Sequence, residues 1–74
     1  MHIIYMEYNT IFVNGHAFNC RKSMSLYDLL LYLNFDINLI AIEYNRELLV
    51  ARDFDRVFLN SQDHIEVITI VGGG

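Results

Sequence analysis

Asn14-Gly15 is the sequence feature that most restricts the fold. It separates two runs of strand-forming residues, and both positions tolerate the positive φ angles of a two-residue hairpin turn. Such a turn places Val13 opposite His16, and opposed residues share one face of a sheet. We therefore predict an antiparallel hairpin over 10–20. Its predicted core-facing residues are Ile11, Val13, Phe18 and Cys20, and its predicted outward residues are Phe12 and Ala17.

One amphipathic helix follows the hairpin. Ser25 is a good N-cap residue, and Asp28, three positions later, can complete the cap near the positive end of the helix dipole. After the cap, four leucines recur at helical spacing and predict a single buried stripe. They are Leu26, Leu29, Leu30 and Leu33. Asn34 is a candidate left-handed residue that ends the helix, with Phe35 folding back on Leu30.

Short strands make up the second half of the chain. Residues 39–44 and 47–50 are two predicted strands on either side of a turn at Asn45-Arg46. For residues 51–56 we predict an irregular connection in which the Phe54 side chain points into the core. Side chains alternate between the two faces of the last strand, and Glu66 indicates which face is exposed to solvent. Ile68 and Ile70 share the parity of Glu66, so we predict two apolar residues on the outer face.

This order of elements predicts an α+β fold, in which a mixed sheet of four to five strands wraps around one helix. The helical crossover allows the first and last strands to pair in parallel. We divide the chain into an N-terminal extension (1–9), one domain (10–71) and a flexible tail (72–74).

Composition narrows the function. The chain has 74 residues, of which 54% are hydrophobic, and a net charge of −4. So small a domain must leave apolar area exposed, which indicates a protein partner. The net negative charge argues against a nucleic-acid partner, because a phosphate backbone is bound by clustered Lys and Arg. The single cysteine, Cys20, predicts a reducing compartment and a buried thiol. Three dispersed histidines predict no metal site, and we expect no targeting or membrane-spanning segment.

The sequence closes on Gly72-Gly73-Gly74. Glycine has no side chain to pack and loses more freedom on ordering than any other residue, so these residues add nothing to a core. A tail without Cβ atoms can enter a narrow channel and present its terminal carboxylate to another protein's catalytic groups. We expect Gly74 to be the reactive position and Gly72 and Gly73 to form the thin tail.

The motifs resemble one family when they are taken in order. These are Ile11-Phe12-Val13-Asn14-Gly15, Ser25-Leu26-Tyr27-Asp28-Leu29-Leu30, Val50-Ala51-Arg52-Asp53-Phe54, Asp63-His64-Ile65-Glu66-Val67 and Val71-Gly72-Gly73-Gly74. Together they resemble the sulfur carrier protein of thiamin biosynthesis (ThiS), a β-grasp relative of ubiquitin. The resemblance runs from Thr10 to Gly74. Ala51 stands where the family commonly has proline, and Gln62 replaces a usual turn glycine.

The resemblance implies a co-substrate without catalytic residues or bound cofactors. A ubiquitin-activating-like (ThiF-type) adenylyltransferase would use ATP and Mg to adenylate Gly74. A persulfide, supplied by a cysteine desulfurase or another donor, would convert the adenylate to a thiocarboxylate. A ThiG-type thiazole synthase would then take the sulfur for the thiazole ring. We expect Phe12, Ile68 and Ile70 to dock the partners, in the cytoplasm or in the plastid stroma.

Three alternatives remain open at this point. A small subunit of molybdopterin synthase has the same fold and tail chemistry with another acceptor. A ubiquitin-like modifier would be attached to other proteins, although Lys22 is the only lysine here for chain building. A plain interaction domain would carry the glycines incidentally.

Overall fold

The computed structural model describes residues 7–70. In chain order its elements are β1 (Tyr8–Val13), β2 (His16–Arg21), α1 (Leu26–Tyr32), the first 3-10 helix (Ile37–Leu39), β3 (Ile40–Tyr44), β4 (Glu47–Leu49), the second 3-10 helix (Ala51–Arg56) and β5 (His64–Thr69). The five strands form one mixed sheet in the order β2-β1-β5-β3-β4, with β1 and β5 parallel and the other neighbouring pairs antiparallel. The predicted β-grasp architecture is confirmed.

The β1–β2 hairpin has the predicted register. Val13 pairs with His16, and the turn residues Asn14 and Gly15 have φ angles of 50° and 82°. Two successive positive φ angles give a turn whose twist matches that of the flanking strands. The register sets which β1 and β2 residues face α1.

Phe18 is the residue of the hairpin that was predicted wrongly. It shares its parity with Cys20, but its side chain is 37% exposed, whereas Cys20 is 4% exposed. The reason is that β2 is an edge strand, so no further strand covers its outer side. Phe18 therefore lines an open groove between β2 and α1 and does not fill the core.

Helix α1 is capped at both ends as predicted. The Ser25 hydroxyl accepts a hydrogen bond from the Asp28 N–H at 3.0 Å, and an Asp28 carboxylate oxygen lies 3.4 Å from the Ser25 nitrogen. At the other end Asn34 has φ 64°, and the Phe35 N–H donates to the Leu30 carbonyl at 2.9 Å. The backbone groups that a free helix end would leave unsatisfied are thus bonded.

The core lies between the sheet and α1. Its fully buried large side chains come from β1, α1, β3, the second 3-10 helix, the loop before β5 and β5 itself. They are Phe54, Ile11, Leu26, Leu30, Ile42, Leu59 and Ile65. Phe54 is 0% exposed, so the predicted inward position in the 51–56 crossing is confirmed. Leu33, the last of the four leucines, is half-buried against this cluster.

The first strand begins at Tyr8, inside the segment that the sequence assigned to an extension. Asn9 is 7% exposed, and its Nδ2 donates to the Leu59 carbonyl at 3.0 Å. Tyr8 and Asn9 therefore belong to the sheet. Residues 1–6 and 71–74, which include most of the predicted extension and the whole predicted tail, lie outside the described residues.

Candidate functional site: the outer sheet face and the end of β5

Strand β5 occupies the centre of the sheet and is held on both sides. On one side Val13 of β1 pairs with Ile65, and the Val67 N–H donates to the Asn14 side-chain oxygen at 2.8 Å. On the other side, the antiparallel pairing with β3 continues to the last described residue. There the Ile70 N–H donates to the Leu39 carbonyl at 2.9 Å. The chain is therefore anchored to the sheet as far as Ile70, four residues before Gly74.

Ile68 of β5 and Ile70, directly after the strand, face away from the helix, as their parity predicts. Ile65 is 1% exposed, whereas Ile68 is 39% and Ile70 is 55% exposed. Ile68 pairs with Ala41 of β3, which is only 5% exposed, so the exposed apolar area beside the end of β5 comes from Ile68 and Ile70. The predicted exposure of Ile68 and Ile70 is confirmed. Their role in docking stays a prediction.

Phe12 faces outward as predicted, but it is half-buried. Its ring stacks on that of His64, with centroids 4.8 Å apart and an angle of 15° between the ring planes. Phe12 and His64 are paired across the parallel β1–β5 ladder. Ile68 lies four residues further along β5, about 13 Å away at roughly 3.3 Å per residue. The three predicted docking residues thus lie at two separate places on one face.

An acidic row separates these two places. Glu66 of β5 lies directly opposite Glu43 of β3, and Glu43 lies opposite Leu48 of β4. Both glutamates are exposed, and Leu48 is 65% exposed. Neither Glu43 nor Leu48 was among the site residues predicted from the sequence. The two-residue turn at Asn45-Arg46 could have located them, because it fixes the β3–β4 register.

The two glutamates line an open pocket of about 420 Å³, together with Asn45, Arg46 and His64. Arg46 belongs to the β3–β4 turn, where it has φ 72° after an Asn45 with φ 47°. The pocket lies on the outer face and reaches His64, the residue that stacks on Phe12.

A buried carboxylate holds the start of β5 in place. Asp63 is 6% exposed and accepts hydrogen bonds from the Tyr44 hydroxyl, from Asn45 Nδ2 at 3.0 Å and from the Asn60 N–H at 2.7 Å. Because a buried acceptor must be satisfied, this network fixes the β3–β4 turn against the loop that precedes β5. It positions the outer face without being part of it.

Two groups in this region have shifted pKa values. Burial, followed by the hydrogen bond to Asp63 and the charge of that carboxylate, raises the pKa of Tyr44 to about 12. Burial, with a smaller effect from the Asp63 charge, raises the pKa of the Cys20 thiol above its ordinary value. A raised pKa leaves less of the reactive thiolate at neutral pH, in keeping with the predicted buried, unreactive cysteine.

The part of the chain that the structure describes contains no cluster of three or more His, Cys, Asp or Glu side chains able to hold a metal ion. His16 and His64 are exposed and belong to different strands, and His2 lies outside the described residues. Within 7–70, no helix has the length and apolar character needed to cross a bilayer.

The sequence profile of the ThiS family matches residues 11–74. The chain belongs to the ThiS family. The crystal structure of the thiamine biosynthesis protein ThiS from Geobacter metallireducens superposes with a TM-score of 0.75 at 26% identity, covering 88% of this chain and 99% of that one. The family match and this likeness make the protein a ThiS-like sulfur carrier with the ubiquitin-like β-grasp fold.

Two other relatives of this ThiS-family chain differ in length. A protein named ycf40 from Porphyra purpurea is 51% identical over 65 residues, which cover 88% of this chain and 92% of that protein. A thiazole synthase from Paramagnetospirillum magneticum is 32% identical over 62 residues, which cover 84% of this chain but 19% of the synthase. A ThiS-like segment thus makes up about a fifth of that synthase.

Proposed function

We propose that this protein carries sulfur as a thiocarboxylate on Gly74 and delivers it for formation of the thiamin thiazole ring. The observation that carries the proposal is the family match through residue 74, which includes the whole glycine run. It is supported by the anchoring of β5 as far as Ile70, because a rigid sheet fixes the point from which the glycines must reach a partner's active site.

The proposed chemistry begins with activation of the carboxylate. A carboxylate is a poor electrophile, because attack on it must expel an oxide. The partner adenylyltransferase joins the Gly74 carboxylate to the α-phosphate of ATP, releasing pyrophosphate and forming an acyl adenylate. A persulfide sulfur then attacks the acyl carbon, and AMP leaves with the bonding electrons. A thiol cleaves the resulting acyl disulfide, which releases the thiocarboxylate and forms a new disulfide.

The carrier contributes no general acid or base to these steps. The groups that bind Mg-ATP and stabilise the phosphates belong to the activating partner. What this chain supplies is a narrow tail and a docking surface, for which we propose Phe12, Ile68 and Ile70. Because it must meet two enzymes in turn, each contact is of the transient kind.

We propose a thiazole synthase as the sulfur acceptor. The support comes from the thiazole synthase of Paramagnetospirillum magneticum, which contains a segment similar to this chain within a protein about five times its length. A carrier joined to its acceptor has a high effective concentration at the acceptor's site. A carrier that is not joined to its acceptor must instead bind the synthase by its own surface. The name ycf40, a designation of plastid genes, supports the plastid stroma as the location.

Intact mass spectrometry tests the proposal. The protein is incubated with its adenylyltransferase, ATP, cysteine, a cysteine desulfurase and a thiol reductant. We expect the mass increase of one oxygen replaced by sulfur, and the loss of that increase when ATP is omitted. The sulfur-loaded protein is then mixed with thiazole synthase and, separately, with the large subunit of molybdopterin synthase. Transfer to the synthase alone is expected, and no mass change with ATP present would refute the carrier assignment.

A further inference from the structure

Glu43 and Glu66 are opposed like charges on the outer face. They are partners in the antiparallel β3–β5 ladder. Backbone bonds at the flanking pairs Asn45–His64 and Leu39–Ile70 show that Glu43 and Glu66 occupy a hydrogen-bonded position of the ladder. At such positions the Cα atoms are about 5.5 Å apart and the side chains project side by side. The two carboxylates are therefore neighbours by construction of the sheet.

Neither glutamate belongs to an ion pair within residues 7–70. The ion pairs within 7–70 are Lys22 with Glu7 and Arg52 with Asp53. Arg46 lines the same pocket but forms no ion pair with either glutamate in that range. Like charges directly opposite each other in a sheet oppose folding. We therefore expect this exposed pair to cost the fold a small amount of stability.

Apolar residues lie on two sides of the pair. Leu48, 65% exposed, is opposite Glu43, and the next pair on the same face of the β3–β5 ladder is Ala41, 5% exposed, with Ile68, 39% exposed. A partner that covers Ile68 must also cover the carboxylates next to it. Removing an unpaired charge from water is costly, so such a partner has to supply a counter-charge.

We propose that the docking partner inserts an arginine or lysine side chain between Glu43 and Glu66, from a surface that is otherwise apolar. The inference rests on the proposed function, since it describes the partner surface that this carrier's outer face fits. Charge complementarity identifies the occupant: two exposed carboxylates beside apolar residues, on a chain of net charge −4, select a cationic and not an acidic surface. The guanidinium of arginine can bond both carboxylates through its forked donors.

The test compares stability with affinity in charge variants. Glu43→Gln and Glu66→Gln keep the side-chain shape and remove one charge each. We expect each to raise Tm by about 2–5 °C, because the repulsion is relieved. We expect each to weaken binding to the purified adenylyltransferase or thiazole synthase of the same organism about 10-fold at low salt, with a smaller effect at high salt. Calorimetric titration measures the binding.

Two further variants sharpen the comparison. Glu66→Lys places a cation opposite Glu43, so it should raise Tm at least as much as Glu66→Gln while weakening binding more, since it repels the inserted cation. Asp55→Asn is the matched control. Asp55 is exposed on the second 3-10 helix, which packs near α1, so its substitution removes the same charge away from the outer face. It should leave affinity unchanged.

Three results would overturn the inference. One is unchanged affinity of both glutamine variants for both enzymes. Another is the absence of any rise in Tm in Glu66→Gln, which would show that the repulsion is already compensated within the chain. The third is failure of the wild type to bind either enzyme, which would overturn the proposed function as well. Gain of sulfur by the wild type together with normal binding by the glutamine variants would refute this inference alone.

Discussion

Phe12 and His64 stack on each other across the two parallel strands at the centre of the sheet, with ring centroids 4.8 Å apart. The contact couples the outer face of β1 to the first residue of β5. It covers part of the Phe12 ring, which the sequence marked as an exposed docking residue. Phe12 therefore has a structural contact whatever its part in binding.

A double-mutant cycle measures this contact. Phe12→Ala and His64→Ala should be non-additive, with a coupling of about 0.5–1.5 kcal/mol in the free energy of unfolding, as stacked rings in contact give. Phe18→Ala provides the control, because Phe18 lies on the opposite face of the hairpin and should be additive with His64→Ala. Coupling indistinguishable from zero in the first cycle would show that the stack contributes nothing to stability.

Ile68→Asp should weaken docking to both partner enzymes and leave the fold intact. Ile68 is 39% exposed, so an aspartate there stays hydrated in the free protein but is buried by a partner. We expect at least about a 10-fold loss of affinity, with Tm within a few degrees of the wild type. Leu31→Asp, at a residue of α1 that is 47% exposed, is the matched control. Equal affinity of wild type and Ile68→Asp for both enzymes would remove the outer face from the docking surface.

Gly74→Val should abolish thiocarboxylate formation. The β-branched side chain would widen the tail next to the reacting carboxylate, and a narrow channel would exclude it. The buried hydrophobic residues of the described region lie between Ile11 and Ile65, so we expect the unfolding transition of Gly74→Val to match that of the wild type. Pyrophosphate exchange with the adenylyltransferase gives the readout, and Tyr32→Phe, a change at an exposed residue of α1, is the control. Adenylate formation at the wild-type rate would contradict the narrow-channel argument.

Tyr44→Phe should alter the dependence of stability on alkaline pH. The pKa of Tyr44 is raised from 10.0 to about 12 in the folded protein, so the native state holds this proton more tightly than the unfolded state. The stability linked to that proton is fully present below about pH 10 and is lost as the pH rises towards 12. The Tyr44→Phe variant has no phenol to ionise, so its stability does not show this loss at alkaline pH. At pH 8 it should be less stable than the wild type by about 1 kcal/mol, because Asp63 loses one hydrogen bond.

Denaturant unfolding of both proteins at pH 8 and at alkaline pH measures this effect. Tyr32→Phe, which removes a phenol that is 76% exposed, should leave stability at pH 8 unchanged. A gap between wild type and Tyr44→Phe that stays constant up to pH 12 would contradict the assignment.

Arg46→Gly should stabilise the protein. Arg46 has φ 72° in the second position of the β3–β4 turn, where an ordinary side chain is strained and glycine is preferred. We expect a gain of roughly 0.5–1 kcal/mol after the added freedom of glycine in the unfolded chain is counted. Arg52→Gly, in a helical segment without positive φ, should be destabilising. A loss of stability in Arg46→Gly would mean that its side chain makes a favourable contact that outweighs the strain.

Local chemistry in the sequence determined the elements and their faces. Asn14-Gly15 determined the hairpin register, and Ser25 with Asp28 determined the start of α1, because these signals act between residues close in the chain. The two-residue alternation of β5 was enough to place Ile68 and Ile70 on the outer face, since successive side chains of a strand point to opposite sides. The parallel pairing of β1 with β5 followed from the single helical crossover.

Only the tertiary structure decided what lies beside each residue on that face. Phe18 has the parity of a core residue, yet the edge position of β2 leaves it at a groove, and no local pattern specifies which strand is the edge. The opposition of Glu43 and Glu66 likewise depends on the register between strands about twenty residues apart. That register is set by packing of the whole sheet on α1 and by the Asp63 network, neither of which can be deduced from short-range spacing.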